Sequence, residues 1–255
     1  MAPAELAANM RLNRYLARCG VSSRRGGDEL IRGGAVRVNG HVVDLPGSQV
    51  RPGSDLVEVD GHRVELQEDF EYVLLNKAAG LIVTRRDTHG RTTVFDHVDG
   101  LRPGTVAVGR LDRDTTGVLL LSDDGELGHR LMHPRFEVEK RYEAVVRGTP
   151  SAEALSRLRR GVELEDGVTS PAEVRSLGPE PGTRGRRTRL EICIHEGRKH
   201  QVKRMCMAVG HRVVRLARTK FAGLTPGDLR PGEYRPLQAA EVRELAGRVG
   251  LKRAG

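Results

Sequence analysis

Two hydrophobic periods follow one another in the first sixty residues. Leu12, Leu16 and Cys19 recur at helical spacing, and Gly20 follows as a stop, which predicts a short helix. Ser22 and Ser23 offer caps for a second helix running to about Arg32, ended by Gly33-Gly34. Gly26-Gly27 in its first turn costs about 1 kcal/mol per glycine relative to alanine, so this helix depends on packing. The period then shortens to two. Val36-Arg37-Val38 and His41-Val42-Val43 flank Asn39-Gly40, a type I′ hairpin signal. Asp60-Gly61 repeats the device between Leu56-Val57-Glu58-Val59 and His62-Arg63-Val64.

Residues 64–71 (VELQEDFE) are acidic, lack glycine and proline, and read as a linker. It would join a unit spanning 10–63 to a second spanning 72–249. From Tyr72 onward, short strand patterns mix with helices, which indicates an α+β protein rather than repeated βαβ units. A helix is predicted from Ser151, its cap, to Arg160, with Leu155 and Leu158 facing inward. Pro181 to Arg189 reads as a loop, Leu190 to Ile194 alternates like a half-buried strand, and Lys199 to Val209 reads as a helix ended by Gly210.

Charge sharpens the picture. Lys and Arg total 43 against 34 Asp and Glu, a net charge of +9, which favours a polyanionic partner. Seven arginines lie between Arg11 and Arg37 against Asp28 and Glu29, and Arg14 and Arg18, four apart, share a helix face. A second basic stretch, Arg184 to Arg204, holds eight cations against Glu191 and Glu196. With four Phe, four Tyr and no Trp, an extended base-stacking platform is not expected. Cys19, Cys193 and Cys206 lack CxxC spacing and read as reduced thiols of a cytoplasmic protein. MAPAELAANM lacks the pattern of a secretory signal, and no apolar run approaches the ~20 residues of a membrane helix. His129 and His133 could share a helix face, but no HExxH and no third ligand accompanies them, so no metal site is expected.

The candidate chemistry centres on Gly109-Arg110-Leu111-Asp112-Arg113-Asp114-Thr115-Thr116-Gly117. Val106-Ala107-Val108 leads into a polar turn that presents Asp112 between Arg110 and Arg113. A carboxylate beside fixed cations stays ionised and poorly hydrated, which suits a nucleophile. Asp112-Arg113-Asp114-Thr115-Thr116 also fits the DxDxT loop of haloacid-dehalogenase-type phosphotransferases, which need Mg²⁺ and a buried parallel strand ending at the first Asp. A charged surface turn and a non-catalytic RNA-binding or ribosome-assembly protein are the plainer alternatives.

The nine-residue run resembles the signature loop of RNA pseudouridine synthases, and other segments match the same family in order. Tyr72-Val73-Leu74-Leu75-Asn76-Lys77 resembles the opening strand of the catalytic domain. Gly125-Glu126-Leu127 through His133-Pro134 follows the Asp loop, Glu139-Lys140-Arg141-Tyr142 matches the tyrosine motif, and Glu196 through Met205 matches the late basic motif. The likeness covers roughly residues 10 to 245 and is nearest to the RsuA-type group, which modifies ribosomal RNA. Residues 10–63 resemble the alpha-L RNA-binding domain of a ribosomal small-subunit protein. One departure is Ala78 after Asn76-Lys77, where relatives usually carry proline.

The resemblance implies a small alpha-L domain followed by a catalytic domain with a mixed, largely antiparallel sheet. It implies isomerisation of a specific uridine in ribosomal RNA, free or in an assembly particle, by a monomer without cofactor. Asp112 becomes the catalytic carboxylate, Tyr142 the residue against the uracil face, and Lys203 the cation paired with Asp112, with Arg204 the alternative. Arg110 would fill the gap left by the extruded nucleotide. Arg14, Arg18, Arg24, Arg25, Arg198, Lys199 and Arg204 would contact RNA. Gly90 to Asp96 and Met132-His133-Pro134 look closer to large-subunit enzymes, whereas His200 to Arg204 and Leu229 to Leu237 look closer to small-subunit enzymes. The balance leans to the large subunit.

Overall fold

A computed structural model of the chain describes residues 9–67 and 69–253. Contacts divide it into two compact units. One is Met1–Glu71 with Gly100–Val106 and Ser122–Asp124. The other is Tyr72–Asp99, Ala107–Leu121 and Gly125–Gly255.

In the first unit, helices Leu12–Arg18 and Arg24–Arg32 precede a four-stranded antiparallel sheet whose central strands are Val36–Val38 and Val57–Val59. Ser23 caps the second helix, its hydroxyl accepting from the Gly26 amide. Asn39, Gly40, Asp60 and Gly61 all adopt positive φ, as two type I′ turns require. Leu12, Tyr15, Leu16, Ile31, Val36, Val50, Val57 and Val59 form the core, with Cys19 packed at its margin. The helix packing anticipated for the Gly26-Gly27 turn is literal: a Cβ at Gly27 would lie 3.3 Å from the Asn13 backbone.

Residues 64–67 and 69–71 form neither helix nor strand, but they are tied into the first unit. Arg102 donates to the Asp69 carbonyl and carboxylate and to Asp123, and the hydroxyls of Thr105 and Ser122 donate to Glu71. Sequence gave no reason to assign Gly100–Val106 and Ser122–Asp124 to this unit, because the partners lie over thirty positions away.

The second unit is built on a mixed sheet. Its strand order is Glu173–Pro179, Arg187–Ile194, Lys140–Arg147, Val213–Phe221, Thr116–Ser122, Tyr72–Lys77 and Tyr234–Pro236. The two strands from Val213 and Thr116 run parallel, and the other pairs whose register is defined are antiparallel. Thr116–Ser122 and Tyr72–Lys77 are buried nearly throughout, as interior strands covered on both faces must be. Leu74, Val118 and Leu120 meet Leu127 and Leu131 of helix Gly125–Met132, and Leu245 and Ala246 of helix Ala239–Arg248.

Three local expectations are corrected. In helix Ala152–Arg160 the buried positions are Ala154 and Leu158, while Leu155 is only half-buried. The strand expected from Leu190 begins at Arg187, because Arg187, Thr188 and Arg189 pair with Arg147, Val146 and Val145. The late helix runs Gln201–Ala208, so Lys199 and His200 precede it. Cys193 and Cys206 are buried, and burial pushes both thiols up to about 12. Among the described residues no helix is long and apolar enough to cross a membrane.

Candidate active site

Asp112 sits in the tight loop that feeds strand Thr116–Ser122. The loop is closed by its own backbone, the Thr115 amide donating to the Asp112 carbonyl across 3.1 Å. Two glycines set its ends. Gly109 has φ +79°, and a Cβ there would fall 2.8 Å from Met132 Sδ. Gly117 has φ +104°, and a Cβ there would fall 2.2 Å from the Arg218 carbonyl oxygen, across the parallel pairing. Only glycine fits that approach.

Lys77 supports the loop from beneath. Its side chain is fully buried, and Nζ donates to the carbonyls of Thr115 (2.8 Å), Ala78 (3.0 Å) and Arg113 (3.3 Å). Burial pulls this ammonium down to about 8, against the attraction of Asp114 and Asp112. The strand exit is thus pinned through Lys77. No structural role for Lys77 was legible in the sequence; a lysine ending an apolar strand was the available signal.

Asp112 meets two bases from the segment that opens helix Gln201–Ala208. Lys203 Nζ donates to Asp112 Oδ2 at 2.7 Å and to Asp114 Oδ1 at 2.6 Å. Burial works against the Lys203 ammonium, but hydrogen bonds to both carboxylates outweigh it and hold it above its ordinary value. The same ammonium keeps Asp114 below its usual range. His200 Nε2 lies 3.3 Å from Asp112 Oδ1. His200 adopts φ +51°, a left-handed conformation uncommon outside glycine, which turns the chain into the helix. In the sequence His200 stood only as part of the late basic motif.

Successive helical positions diverge by about 100°, and the two adjacent cations separate accordingly. Lys203 reaches Asp112, whereas Arg204 makes a paired contact with the Asp166 carboxylate at 3.0 and 2.9 Å. Arg198 is likewise engaged internally, donating to the carbonyls of Val168 (2.6 Å), Gly167 (2.8 Å) and Asp166 (3.1 Å). Buried Gln201 braces the turn between them, accepting from the Arg198 amide and donating to Glu196. Arg110 and Lys199 are exposed at the mouth of the site.

These groups surround a cavity of about 800 Å³. Arg110, Asp112, Lys199 and His200 line it, with Tyr142, Leu216, Lys140 and Arg218 also on its wall. Tyr142 is mostly buried and is the cross-strand partner of Arg218, so the two stand side by side in the sheet. The arrangement offers a carboxylate, an ammonium hydrogen-bonded to it, an imidazole beside it and a flat aromatic wall, in a cavity roomy enough for a nucleoside. Among the described residues no group of three or more His, Cys, Asp or Glu could hold a metal.

The arginines of the first unit divide into two kinds. Arg14, Arg24 and Arg25 are exposed. Arg18 donates to the Gln67 carbonyl and stacks over the Phe70 ring at 4.2 Å. The DxDxT alternative fails on strand polarity: the buried strand Thr116–Ser122 begins after Asp112 instead of ending at it.

Comparison with known proteins gives a consistent result. Residues 71–208 match the model of the RNA pseudouridylate synthase family, and residues 10–57 match the S4 domain. The chain is 43% identical over 235 residues to ribosomal large subunit pseudouridine synthase B of Bacillus subtilis (strain 168), covering 92% of this chain and 95% of that protein. It is 42% identical over 244 residues to an uncharacterized RNA pseudouridine synthase of Aquifex aeolicus (strain VF5), covering 95% and 96%. A crystal structure of a pseudouridylate synthase superposes with a TM-score of 0.65 at 31% identity, covering 92% of this chain and 99% of that one.

Proposed function

The chain belongs to the RNA pseudouridylate synthase family, and from that premise we propose that it isomerises a specific uridine of ribosomal RNA, most suitably in the large subunit. The observation that carries this reading is the cavity lined by both Tyr142 and Asp112, whose carboxylate Lys203 hydrogen-bonds and His200 approaches to 3.3 Å. The subunit assignment rests on similarity to an enzyme named for the large subunit, found across nearly the full length of both chains.

The reaction breaks the bond between ribose carbon 1′ and uracil N1, turns the ring and rejoins it through carbon 5. Asp112 is the carboxylate that acts at the reacting nucleotide. Lys203 fixes its orientation, with one hydrogen bond to each of two carboxylates. Tyr142 offers a flat surface to the ring and a hydroxyl that can handle the proton from carbon 5. Arg110, exposed at the mouth, enters the stack in place of the extruded nucleotide and contacts phosphate. Extruding a base costs a few kcal/mol, which a stacked guanidinium partly offsets.

We assign RNA docking to residues 10–63, a linker role to 64–71 and catalysis to 72–249. Arg14, Arg24 and Arg25 supply the exposed charge of the docking face, and Lys199 adds charge beside the cavity. Arg18, Arg198 and Arg204 are partly or wholly engaged within the protein, so their contribution to RNA is chiefly to shape the surface. The enzyme works as a cytoplasmic monomer on ribosomal RNA or an assembly particle.

The test is tritium release from ribosomal RNA labelled at uridine carbon 5, with large- and small-subunit transcripts assayed separately. Release by wild type but not by Asp112→Asn, with RNA binding retained, supports the reading. Equal release by Asp112→Asn overturns it.

A further inference from the structure

The cavity wall behind Tyr142 carries two cations that the reading above leaves unused. Arg218 is 2% exposed and Lys140 is 5% exposed, and both line the cavity that holds Asp112. Neither forms an ion pair with a carboxylate among the described residues. Arg218 Nε donates to the Val118 carbonyl at 2.8 Å, its guanidinium lies 4.8 Å from the Phe221 ring, and Nη2 has no acceptor among the described residues. Lys140 Nζ donates to the carbonyls of Val138 (2.9 Å) and His195 (3.3 Å). The carboxylate that acts on Lys140 is Glu196, which is itself engaged by Arg198, Gln201 and the Ser170 amide.

Burying two like charges together is costly. Burial first, and Arg218 second, pull the Lys140 ammonium down to about 8. An uncompensated buried cation persists where something repays it, and an electronegative ligand in the cavity does so. Position identifies the ligand. Tyr142 and Arg218 are cross-strand partners, and Lys140 lies two residues before Tyr142 on the same sheet face. A ring set against Tyr142 therefore faces both cations. Phosphates stay connected to a solvated backbone and fit the exposed Arg110 and Lys199 better than these buried groups.

We propose that Arg218 and Lys140 are the counter-charge for the detached uracil. When the bond between carbon 1′ and N1 breaks, its electron pair leaves with the ring, and the negative charge spreads over N1, O2 and O4. Two fixed cations in a water-poor wall stabilise that anion without reorganising, and they hold the ring while it turns. The electron-poor carbon 1′ left behind faces the Asp112 carboxylate; carbon 5 then forms the new bond to it, the carbon 5 proton leaves by way of the Tyr142 hydroxyl, and N1 takes up one proton, so the isomerisation has no net proton change. The inference rests on the proposed reaction and adds where the charge of the leaving ring is held.

The experiment uses the full chain and two free bases, uracil and 5-nitrouracil, whose nitro group makes the ring anionic near neutral pH. Affinities are measured by calorimetry for wild type, Lys140→Gln, Lys140→Arg and Arg218→Met, with folding followed by thermal melting. Wild type is expected to prefer the anionic ring by about tenfold or more, consistent with charge-assisted hydrogen bonds. Lys140→Gln and Arg218→Met should lose most of that preference, and Lys140→Arg should keep it. If Arg218→Met does not fold, Lys140→Gln decides. No preference in wild type, or an undiminished one in folded Lys140→Gln, overturns the proposal. A parallel comparison of uridine with uridine 5′-monophosphate separates the phosphate alternative: a loss confined to the monophosphate also overturns it. Absence of tritium release from ribosomal RNA would overturn the reaction itself, whereas the anion preference is judged on binding alone.

Discussion

Lys203 Nζ lies between two carboxylates, 2.7 Å from Asp112 Oδ2 and 2.6 Å from Asp114 Oδ1. A single compact ammonium therefore orients the candidate catalytic carboxylate and links it to its neighbour. Lysine does this as a point charge, without the fork that arginine would bring.

Replacing Lys203 with methionine should lower single-turnover tritium release by about 10²–10³-fold, the range for losing one preorganised electrostatic partner. RNA affinity should change little. Lys203→Arg should recover a substantial part of the rate. Activity equal to wild type in Lys203→Met would remove Lys203 from the mechanism.

His200, whose Nε2 lies 3.3 Å from the other Asp112 oxygen, should matter less, because half of its side chain is open to solvent. His200→Asn should reduce the rate by about tenfold or less, as expected for a solvent-exposed partner. His200→Gly would relax the left-handed backbone while deleting the imidazole. Comparing the melting temperatures and rates of the two variants separates the backbone effect from the side-chain effect.

Gly117→Ala should unfold or severely destabilise the second unit. The new Cβ would meet the Arg218 carbonyl at 2.2 Å, and the residue would keep φ +104°. The combined strain is on the order of 3 kcal/mol or more. Thermal melting measures it; a drop of under a degree would contradict the geometry.

Stability should rise with pH between about 8 and 9. Lys77 and Lys140 each titrate near 8 when folded against an ordinary 10.5, so between those values the unfolded chain binds more protons than the folded one. The cost of the two buried ammoniums is fully present below pH 8 and is relieved as pH climbs toward 10.5. Above about pH 9 the cysteine thiols oppose this, because they ionise in the unfolded chain while burial keeps Cys19, Cys193 and Cys206 protonated in the folded one, and Lys203 opposes it at still higher pH. Urea unfolding between pH 7.5 and 9 checks the sign, and Lys140→Gln should shrink the rise.

Reversing the exposed charges of the first unit, in a combined Arg14→Glu, Arg24→Glu and Arg25→Glu variant, should weaken RNA binding and flatten its salt dependence. Each lost phosphate contact reduces the slope of log K against log salt by about 0.7 to 0.9. An unchanged slope would move the docking surface elsewhere.

Local signals decided much of this protein. Asn39-Gly40 and Asp60-Gly61 specify their turns because those residues tolerate positive φ, and Ser23 and Ser151 cap helices whose starts could be read from them. The Gly109–Gly117 run marked Asp112, because a loop closed by its own backbone writes its requirements into consecutive residues. Tertiary structure decided the rest. Whether Lys203 or Arg204 meets Asp112 depended on where the helix begins, and that depends on His200 turning left-handed and Gln201 bracing the loop. The internal engagement of Arg198 and Arg204 was equally unreadable, since their acceptors at residues 166–168 lie some thirty positions away. In the sequence Lys140 entered only as a member of the tyrosine motif and Arg218 not at all, because a cation in a strand pattern looks like any strand residue. Their meaning comes from burial beside Tyr142, which the pairing of strands distant in the chain alone creates. Sequence fixes what a residue can do within a few neighbours; the field a buried charge feels is set by the whole sheet.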